Sequence, residues 1–230
     1  MQKLLLLIGL AICSLLLSPA AMAQEIEAPN YQQIRQSTNN SKSPNYYRNL
    51  MERYIRNDST LTLQDYRNLY YGFTLREDFV PYQFEKDQLF EVRRELVVTR
   101  GSKEAAKKAI GVAESVLADN PFDIPAIAVM AISYLQLEDN EQYELWNAKQ
   151  EGLLDAITSS GDGEAPETAF HVICIEHEYE VLNRMGLELE EIVSKSNNIE
   201  YLRVKENAEG IEGIYFNYNA CAHIYKKKYE

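Results

Sequence analysis

The spacing of apolar residues changes once along this chain, and that change most constrains the fold. Between residues 44 and 158, apolar side chains recur every three or four positions, as on one face of an α-helix. Residues 159–163 (Ser-Ser-Gly-Asp-Gly) interrupt this pattern, and apolar and polar residues then alternate, as in a half-buried strand. Helices followed by strands predict an α+β fold, with an N-terminal helical-hairpin array followed by a small antiparallel β-sheet.

Capping signals divide the helical region. Ser43 followed by Pro44 predicts a helix start, because proline suits the first helical position. Thr62 and Asp65 have the spacing of a capping box. Ser102 predicts another helix start, after a helix at about residues 86–99, and a last helix is expected at about 140–157.

Part of this region resembles a tetratricopeptide hairpin. Ala109 and Pro121 match the alanine and the terminal proline of that repeat. Met130-Ala131 and Tyr134 stand where the repeat has Leu-Gly and Tyr. The resemblance covers about one and a half repeats and implies stacked helical hairpins.

Four segments after residue 163 are candidate strands. Residues 173–181 alternate between apolar side chains and an acidic outer face formed by Glu176, Glu178 and Glu180. Residues 187–193 fit either a short helix or a strand. Residues 201–205 and 214–218 predict a hairpin around Glu209-Gly210.

The first 23 residues have the layout of a secretory signal peptide. Lys3 precedes an apolar run at residues 4–17, and Ala21-Met22-Ala23 predicts cleavage before Gln24. A retained anchor and lipid attachment at Cys13 are the alternatives. The predicted organisation is a signal peptide at 1–23, a flexible arm at 24–43, a helical-repeat-like region at 44–158 and a β-rich region at 159–230. The product is expected in the periplasm or outside the cell, with no transmembrane segment in the mature chain.

Charge is distributed unevenly between the two halves of the chain. Residues 24–108 contain 14 Lys and Arg against 12 Asp and Glu, a net of +2, and residues 109–230 contain 8 against 23, a net of −15. Nucleic acid is therefore excluded as a partner, since phosphate binding needs clustered cations. The acidic half is either a solvated surface or a face that attracts a basic protein or divalent cations.

Two cysteines, Cys174 and Cys221, remain after cleavage. An exported protein can form a disulfide, so a bond between these residues is possible. The alternative is that each packs as a small apolar side chain.

Several short motifs of the second half resemble a family of exported bacterial proteins. These motifs are Gly161-Asp162-Gly163, Glu167-Thr168-Ala169-Phe170, Val172-Ile173, Glu178-Tyr179 and Ile214-Tyr215-Phe216-Asn217. The family is domain of unknown function 4919. The resemblance implies helices followed by a sheet and an envelope setting. It implies no activity and transfers no functional residue.

Histidines and glutamates are the candidates for chemistry. His171 and His177 would be about 20 Å apart on one strand, too far to chelate one ion, although His223 could approach His177 if the first and last strands paired. Glu176, Glu178 and Glu180 would be three similar solvated carboxylates, whereas acid–base pairs need unlike environments. No cofactor is predicted, and Asp162 between two glycines favours a tight turn over a cation site.

Tyrosines are concentrated in the first helical region. Tyr46 and Tyr71 lie off the main apolar stripes and could line a groove for a peptide or a sugar. The sequence thus predicts an exported, non-enzymatic binding protein whose partner is an envelope protein or peptide, with a glycan as the alternative. The alternative is an envelope hydrolase with a site between helices and sheet, in which His177, Glu176 and Glu178 take part.

Overall fold

A computed structural model describes residues 26–77, 79–80, 87–99, 101–196 and 198–221, with no side-chain description at 194–196. The predicted signal peptide at 1–23 and His223 lie outside the described residues. The α-helices are α1 (Tyr31–Asn39), α2 (Tyr47–Ile55), α3 (Leu63–Phe73), α4 (Asp87–Val98), α5 (Lys103–Asp119), α6 (Ile124–Gln136), α7 (Asn140–Thr158) and α8 (Glu176–Arg184). The strands are β1 (Phe170–His171), β2 (Leu189–Ser196), β3 (Ile199–Val204) and β4 (Gly213–Asn217), and a 3-10 turn spans Pro166–Thr168. The chain therefore has the predicted α+β fold.

The helix starts follow the capping signals closely. Thr62 and Asp65 form the complete capping box at the start of α3. Ser102 caps α5, and Asp123 and Asp139 cap α6 and α7 in the same way. The helix predicted at Ser43 begins later, at Tyr47, because the Ser43 hydroxyl instead accepts a hydrogen bond from the Asn45 backbone N–H.

The segment predicted as a flexible arm contains a helix. α1 begins at an N-cap formed by Asn30 and buries Ile34 and Thr38 against the other helices. The prediction was wrong because these are only two buried residues in nine, too few for a periodic apolar signal in a polar segment.

The sheet has the order β1-β4-β3-β2 and is mostly antiparallel. The predicted hairpin is β3 and β4, in which Leu202 pairs with Ile214 and both side chains are buried. β2 adds an antiparallel edge, whereas the two-residue β1 pairs in parallel with β4.

The strand predicted at residues 173–181 is wrong, because residues 176–184 form α8. This helix buries His177, Glu178 and Glu180 together with Val181 and Leu182. The alternation of acidic and apolar residues suggested an exposed acidic face, but several of these acidic and polar side chains point into the interior.

Two apolar clusters form the core. The larger joins the first helices to α7 and continues through α8 into the sheet, so it crosses the predicted boundary at residue 158. The smaller lies between α4, α5 and α6. Trp146 on α7 packs against both clusters.

Candidate functional site

A groove opens where α2 and the end of α3 meet the C-terminal end of α5 and the turn that follows it. Its volume is about 650 Å³. The lining residues are Tyr46, Tyr47, Arg48, Met51, Ile55, Phe73, Arg76, Leu117, Ala118, Asp119 and Pro121. Most of this surface is aromatic or aliphatic, and the charged residues are few.

Helical spacing produces one wall of the groove. Tyr47, Met51 and Ile55 lie four residues apart on α2 and therefore follow one another along the same face. Tyr47 is buried, and Ile55 leaves 64% of its surface exposed. The wall thus runs from the core to solvent.

Aromatic packing holds the opposite side of the groove in place. The Phe73 ring lies 5.2 Å from the Phe122 ring, centre to centre, in an edge-on contact. The Tyr54 hydroxyl donates to the Pro121 carbonyl over 3.1 Å. These contacts fix the turn after α5 against α2 and α3, so the groove is largely preformed.

Two arginines lie beside the apolar surface. The Arg76 guanidinium lies over the Tyr47 ring at 5.1 Å from its centre, a cation–π contact. The Arg48 side chain is 78% exposed and forms an ion pair with the exposed Glu52, at 3.4 Å. With these two arginines against one carboxylate, Asp119, the lining has a net positive charge and suits an apolar group that carries a negative charge next to it.

The two predicted groove tyrosines differ in position. Tyr46 is half-buried and lines the groove. Tyr71 does not line it, because it is fully buried on the side of α3 that faces α7. The Tyr71 hydroxyl lies 3.1 Å from the Ala156 carbonyl and 3.2 Å from the His171 carbonyl. The structure therefore assigns Tyr71 to the core rather than to a groove.

His177 lies at the centre of a buried hydrogen-bond chain. The Ile173 N–H donates to the Tyr70 hydroxyl over 3.2 Å, and that hydroxyl is 2.7 Å from His177 Nδ1. A hydrogen bond to the Phe122 backbone engages the ring as well, and burial lowers the pKa of His177 to about 3. The imidazole is thus neutral, and we infer that Nδ1 accepts the Tyr70 proton.

Glu176 and Glu178 lie on either side of His177 in the first turn of α8. Glu176 is half-buried and accepts a hydrogen bond from the Cys174 thiol, whereas Glu178 is fully buried. These are not the exposed carboxylates that the sequence pattern predicted. Neither His177 nor Glu178 is open to solvent, so a substrate reaches neither of them in this structure.

Cys174 and Cys221 are free thiols in the structure. Burial, together with the nearby Glu176 carboxylate, raises the pKa of Cys174. Burial also raises the pKa of Cys221, and Glu178 and Glu176 add to this effect. Thiols held in the protonated form are poor nucleophiles. The possible disulfide stays a prediction that a thiol titration can decide.

The remaining candidates have structural surroundings. His171 lies in β1 rather than on one strand with His177, and burial lowers its pKa to about 4. Within the described ranges, no three His, Cys, Asp or Glu residues are grouped so as to hold a metal ion. Asp162 accepts hydrogen bonds from the Glu164 N–H and the Thr168 hydroxyl, and Gly163 has φ +73°, as the predicted tight turn requires.

Comparison with known proteins identifies the family. The sequence profile of Domain of unknown function (DUF4919) matches residues 32–227. The chain belongs to this family. Neither the search of curated proteins nor that of solved structures found a match.

The DUF4919 match includes both the groove and the His177 chain of hydrogen bonds. None of the helices in the described ranges of this DUF4919 protein is long and apolar enough to cross a membrane.

Sequence reasoning missed most of the groove. Tyr47 and Met51 stand on an apolar helical stripe, which predicts core packing without distinguishing the rim of a groove. Arg76 and Pro121 come from other parts of the chain, and no sequence spacing links them to α2. Only Tyr46 had a usable signal, an aromatic residue outside the stripe.

Proposed function

We propose that this protein is an exported, non-enzymatic binding protein of the cell envelope. Its groove beside Tyr46 would take an apolar side chain from an extended segment of a partner protein, with an acidic residue of that segment next to Arg48 and Arg76. The observation that carries this proposal is the open groove of about 650 Å³, with apolar walls and these two cations.

The composition of the groove favours a protein segment as the ligand. Tyrosine, methionine and arginine are enriched at protein interfaces and supply many of the residues that dominate binding energy. Met51 and Leu117 offer aliphatic surface, which suits a leucine or phenylalanine side chain better than the hydroxyl groups of a sugar. A glycan ligand is therefore an outcome of the test rather than the proposal.

Burial of Ile55 supplies part of the driving force. Its side chain is 64% exposed in the free protein, and covering it would remove apolar surface from water. Removal of apolar area contributes roughly 25 cal/mol per Å². Neighbouring Arg48 would add steering and specificity for an acidic partner rather than a large share of the affinity.

A site-specific photo-crosslink tests this proposal. The tagged mature protein carries a benzoylphenylalanine in place of Tyr46, and it is irradiated in the envelope of the producing cell. The matched control carries the same group in place of Phe90, an exposed aromatic residue on α4 outside the groove. We expect one saturable protein adduct from position 46 and none of the same mass from position 90.

The charge-reversal Arg48→Glu sharpens the test. Arg48 is highly exposed, and its ion pair with the exposed Glu52 contributes little to stability, so we expect its replacement to leave the fold intact. We expect the adduct at position 46 to decrease severalfold, because the acidic residue of the partner then meets a negative charge. An adduct that is insensitive to Arg48→Glu, or that forms equally at position 90, would refute the groove as the docking site.

Export is a separate part of the proposal. It rests on the Lys3, apolar run and Ala21-Met22-Ala23 pattern. Intact mass spectrometry of the protein from the producing cell should give a chain beginning at Gln24, recovered in the periplasmic or extracellular fraction. A cytoplasmic chain beginning at Met1 would contradict export without bearing on the groove.

A further inference from the structure

A second, polar cavity of about 270 Å³ lies between α1 and α3. Carboxamide side chains supply most of its lining, namely Asn30, Gln33, Asn45, Gln64 and Asn68. Gln64, Arg67 and Asn68 lie on one face of α3, at the three- and four-residue spacings of a helix. The groove beside Tyr46 shares no lining residue with this cavity.

Arg67 brings a buried positive charge to the cavity. Only 7% of the residue is exposed. Its guanidinium donates to the Ser159 hydroxyl over 2.5 Å and to the Glu27 backbone carbonyl over 2.6 Å. Both acceptors are neutral, and the guanidinium also lies over the Tyr71 ring at 5.7 Å from its centre. No carboxylate in the described part of the chain forms an ion pair with Arg67. Buried charges are normally paired, and a guanidinium has five donors, so charge and donors remain for a ligand.

Asn68 adds an unsatisfied donor next to this charge. The residue is 1% exposed, and its Nδ2 has no hydrogen-bond partner among the residues that the structure describes. Its Oδ1 accepts only a long bond of 3.4 Å from Gln64 Nε2. A buried N–H without a partner costs free energy, and Asn68 lines the cavity, so an acceptor on a bound ligand would satisfy this donor.

We propose that this cavity binds a small organic carboxylate. The Arg67 guanidinium and Asn68 Nδ2 would donate to the carboxylate oxygens, and charge-assisted bonds of this kind are the strongest that side chains form. The carboxamides, which both donate and accept, would bind hydroxyl or amide groups in the rest of the ligand. A single cation matches one negative charge, and Glu27 in the lining disfavours ligands of higher charge.

Two kinds of molecule carry this chemistry, an acidic sugar and an N-acylated amino acid. Isothermal titration of the mature protein with sodium glucuronate and with N-acetylglycine distinguishes them. Glucose and N-acetylglycinamide are the matched neutral compounds and test whether binding needs the carboxylate. We expect at least one acid to bind saturably and at least tenfold more tightly than its neutral analogue. Preference for glucuronate assigns an acidic sugar, and preference for N-acetylglycine assigns an acylated amino acid.

Variants locate the binding. Asn68→Asp replaces the donor Nδ2 with an oxygen of nearly the same size, and we expect it to weaken acid binding at least tenfold. Gln33→Glu adds a charge at an exposed lining position in the first turn of α1, where a negative charge also suits the helix. It should weaken acid binding severalfold even if Asn68→Asp fails to fold. Gln32→Glu, which adds the same charge next to it but outside the lining, should leave binding unchanged.

Three results would overturn the proposal. These are the absence of saturable binding by either acid up to millimolar concentration, equal binding of the neutral analogues, and sulfate binding as tight as that of the acids. Loss of affinity in Gln32→Glu equal to that in Gln33→Glu would place the ligand elsewhere. None of these results bears on the photo-crosslink at Tyr46, so the two proposed sites are tested independently.

Discussion

The interior of this protein contains polar side chains whose partners come from distant parts of the chain. Tyr70 on α3 takes a hydrogen bond from the backbone of Ile173 and lies within hydrogen-bond distance of His177 on α8. In a medium of low polarity such bonds are strong, and a missing partner is costly. The chain therefore fixes the position of α8 against α3 by chemistry as well as by packing.

Two histidines, the buried His177 and the half-buried His171, predict a pH dependence of stability. The pKa is about 3 for His177 and about 4 for His171, against about 6.5 in an unfolded chain. Between pH 6.5 and pH 4, the unfolded state therefore binds protons that the folded state does not. The free energy of unfolding should fall as pH falls, by up to about 1.4 kcal/mol per pH unit for each histidine.

Urea unfolding at about pH 7 and pH 5 measures this effect. These values stay above the range in which most carboxylates titrate. His171→Asn removes one of the two groups and should reduce the pH dependence by about half. An unfolding free energy that is the same at both pH values would contradict the burial of neutral histidines.

The cysteines predict a slow reaction with thiol reagents. The pKa values of Cys174 and Cys221 are raised, mainly by burial, so little thiolate is present near pH 8. We expect Ellman's reagent to modify the folded protein slowly and to detect two thiols rapidly in urea without a reductant. Detection of no thiol in urea would instead show that the two cysteines form the disulfide left open by the sequence.

Among the helices, α3 and α7 approach each other closely at a glycine. A Cβ at Gly152 on α7 would overlap the ring of Tyr66 on α3. The aromatic ring thus fills the space that a side chain would occupy, which is why the helices meet there. This contact helps to align α7, whose C-terminal end accepts the Arg67 hydrogen bond at Ser159.

Gly152→Ala should therefore destabilise the protein by about 1–3 kcal/mol, the usual cost of overpacking. The matched control is Gly111→Ala on α5, where an added Cβ meets nothing within 4 Å. That variant should stabilise the protein by about 0.5–1 kcal/mol, because alanine is the better helix former. Chemical unfolding compares the two, and equal effects would show that the ring of Tyr66 moves away freely.

At the scale of the whole molecule, one core joins the helices to the sheet. Phe216 on β4 and Phe122 before α6 belong to the same buried cluster, although 94 residues (216 − 122) separate them. Neither region encloses this cluster by itself. The helical and β-rich regions are therefore expected to fold as one unit.

Cooperative unfolding tests this expectation. Fluorescence of Trp146, the single tryptophan, reports on α7, and far-UV circular dichroism reports on all elements. The two transitions should coincide. Phe216→Ala should lower the free energy of unfolding by about 3–5 kcal/mol and so move both transitions to lower urea concentrations. Ile192→Ala, at a partly exposed position of β2, is the control and should change the midpoint of either transition only slightly. A fluorescence transition unaffected by Phe216→Ala would indicate two independent units.

The local elements were largely determined by the sequence. Helix starts at Thr62 and Ser102 and the hairpin of β3 and β4 depend on neighbouring residues, which is why capping and alternation predicted them. The period-two pattern failed at α8, because an alternating run of nine residues also satisfies a helix whose buried side includes His177 and Glu178. Burial of a glutamate depends on what packs against it, and hydropathy does not contain that information.

Only the tertiary structure decided which residues form sites. It separated Tyr46 from Tyr71, since Tyr46 lies at the start of α2 and lines the groove, whereas α3 turns Tyr71 toward α7. It also placed Arg67 beside Ser159, 92 residues away, and left Asn68 Nδ2 without a partner within the described part of the chain. A chain fixes its helices and strands by contacts within a few residues, whereas cavities and buried charges arise only when distant elements pack together.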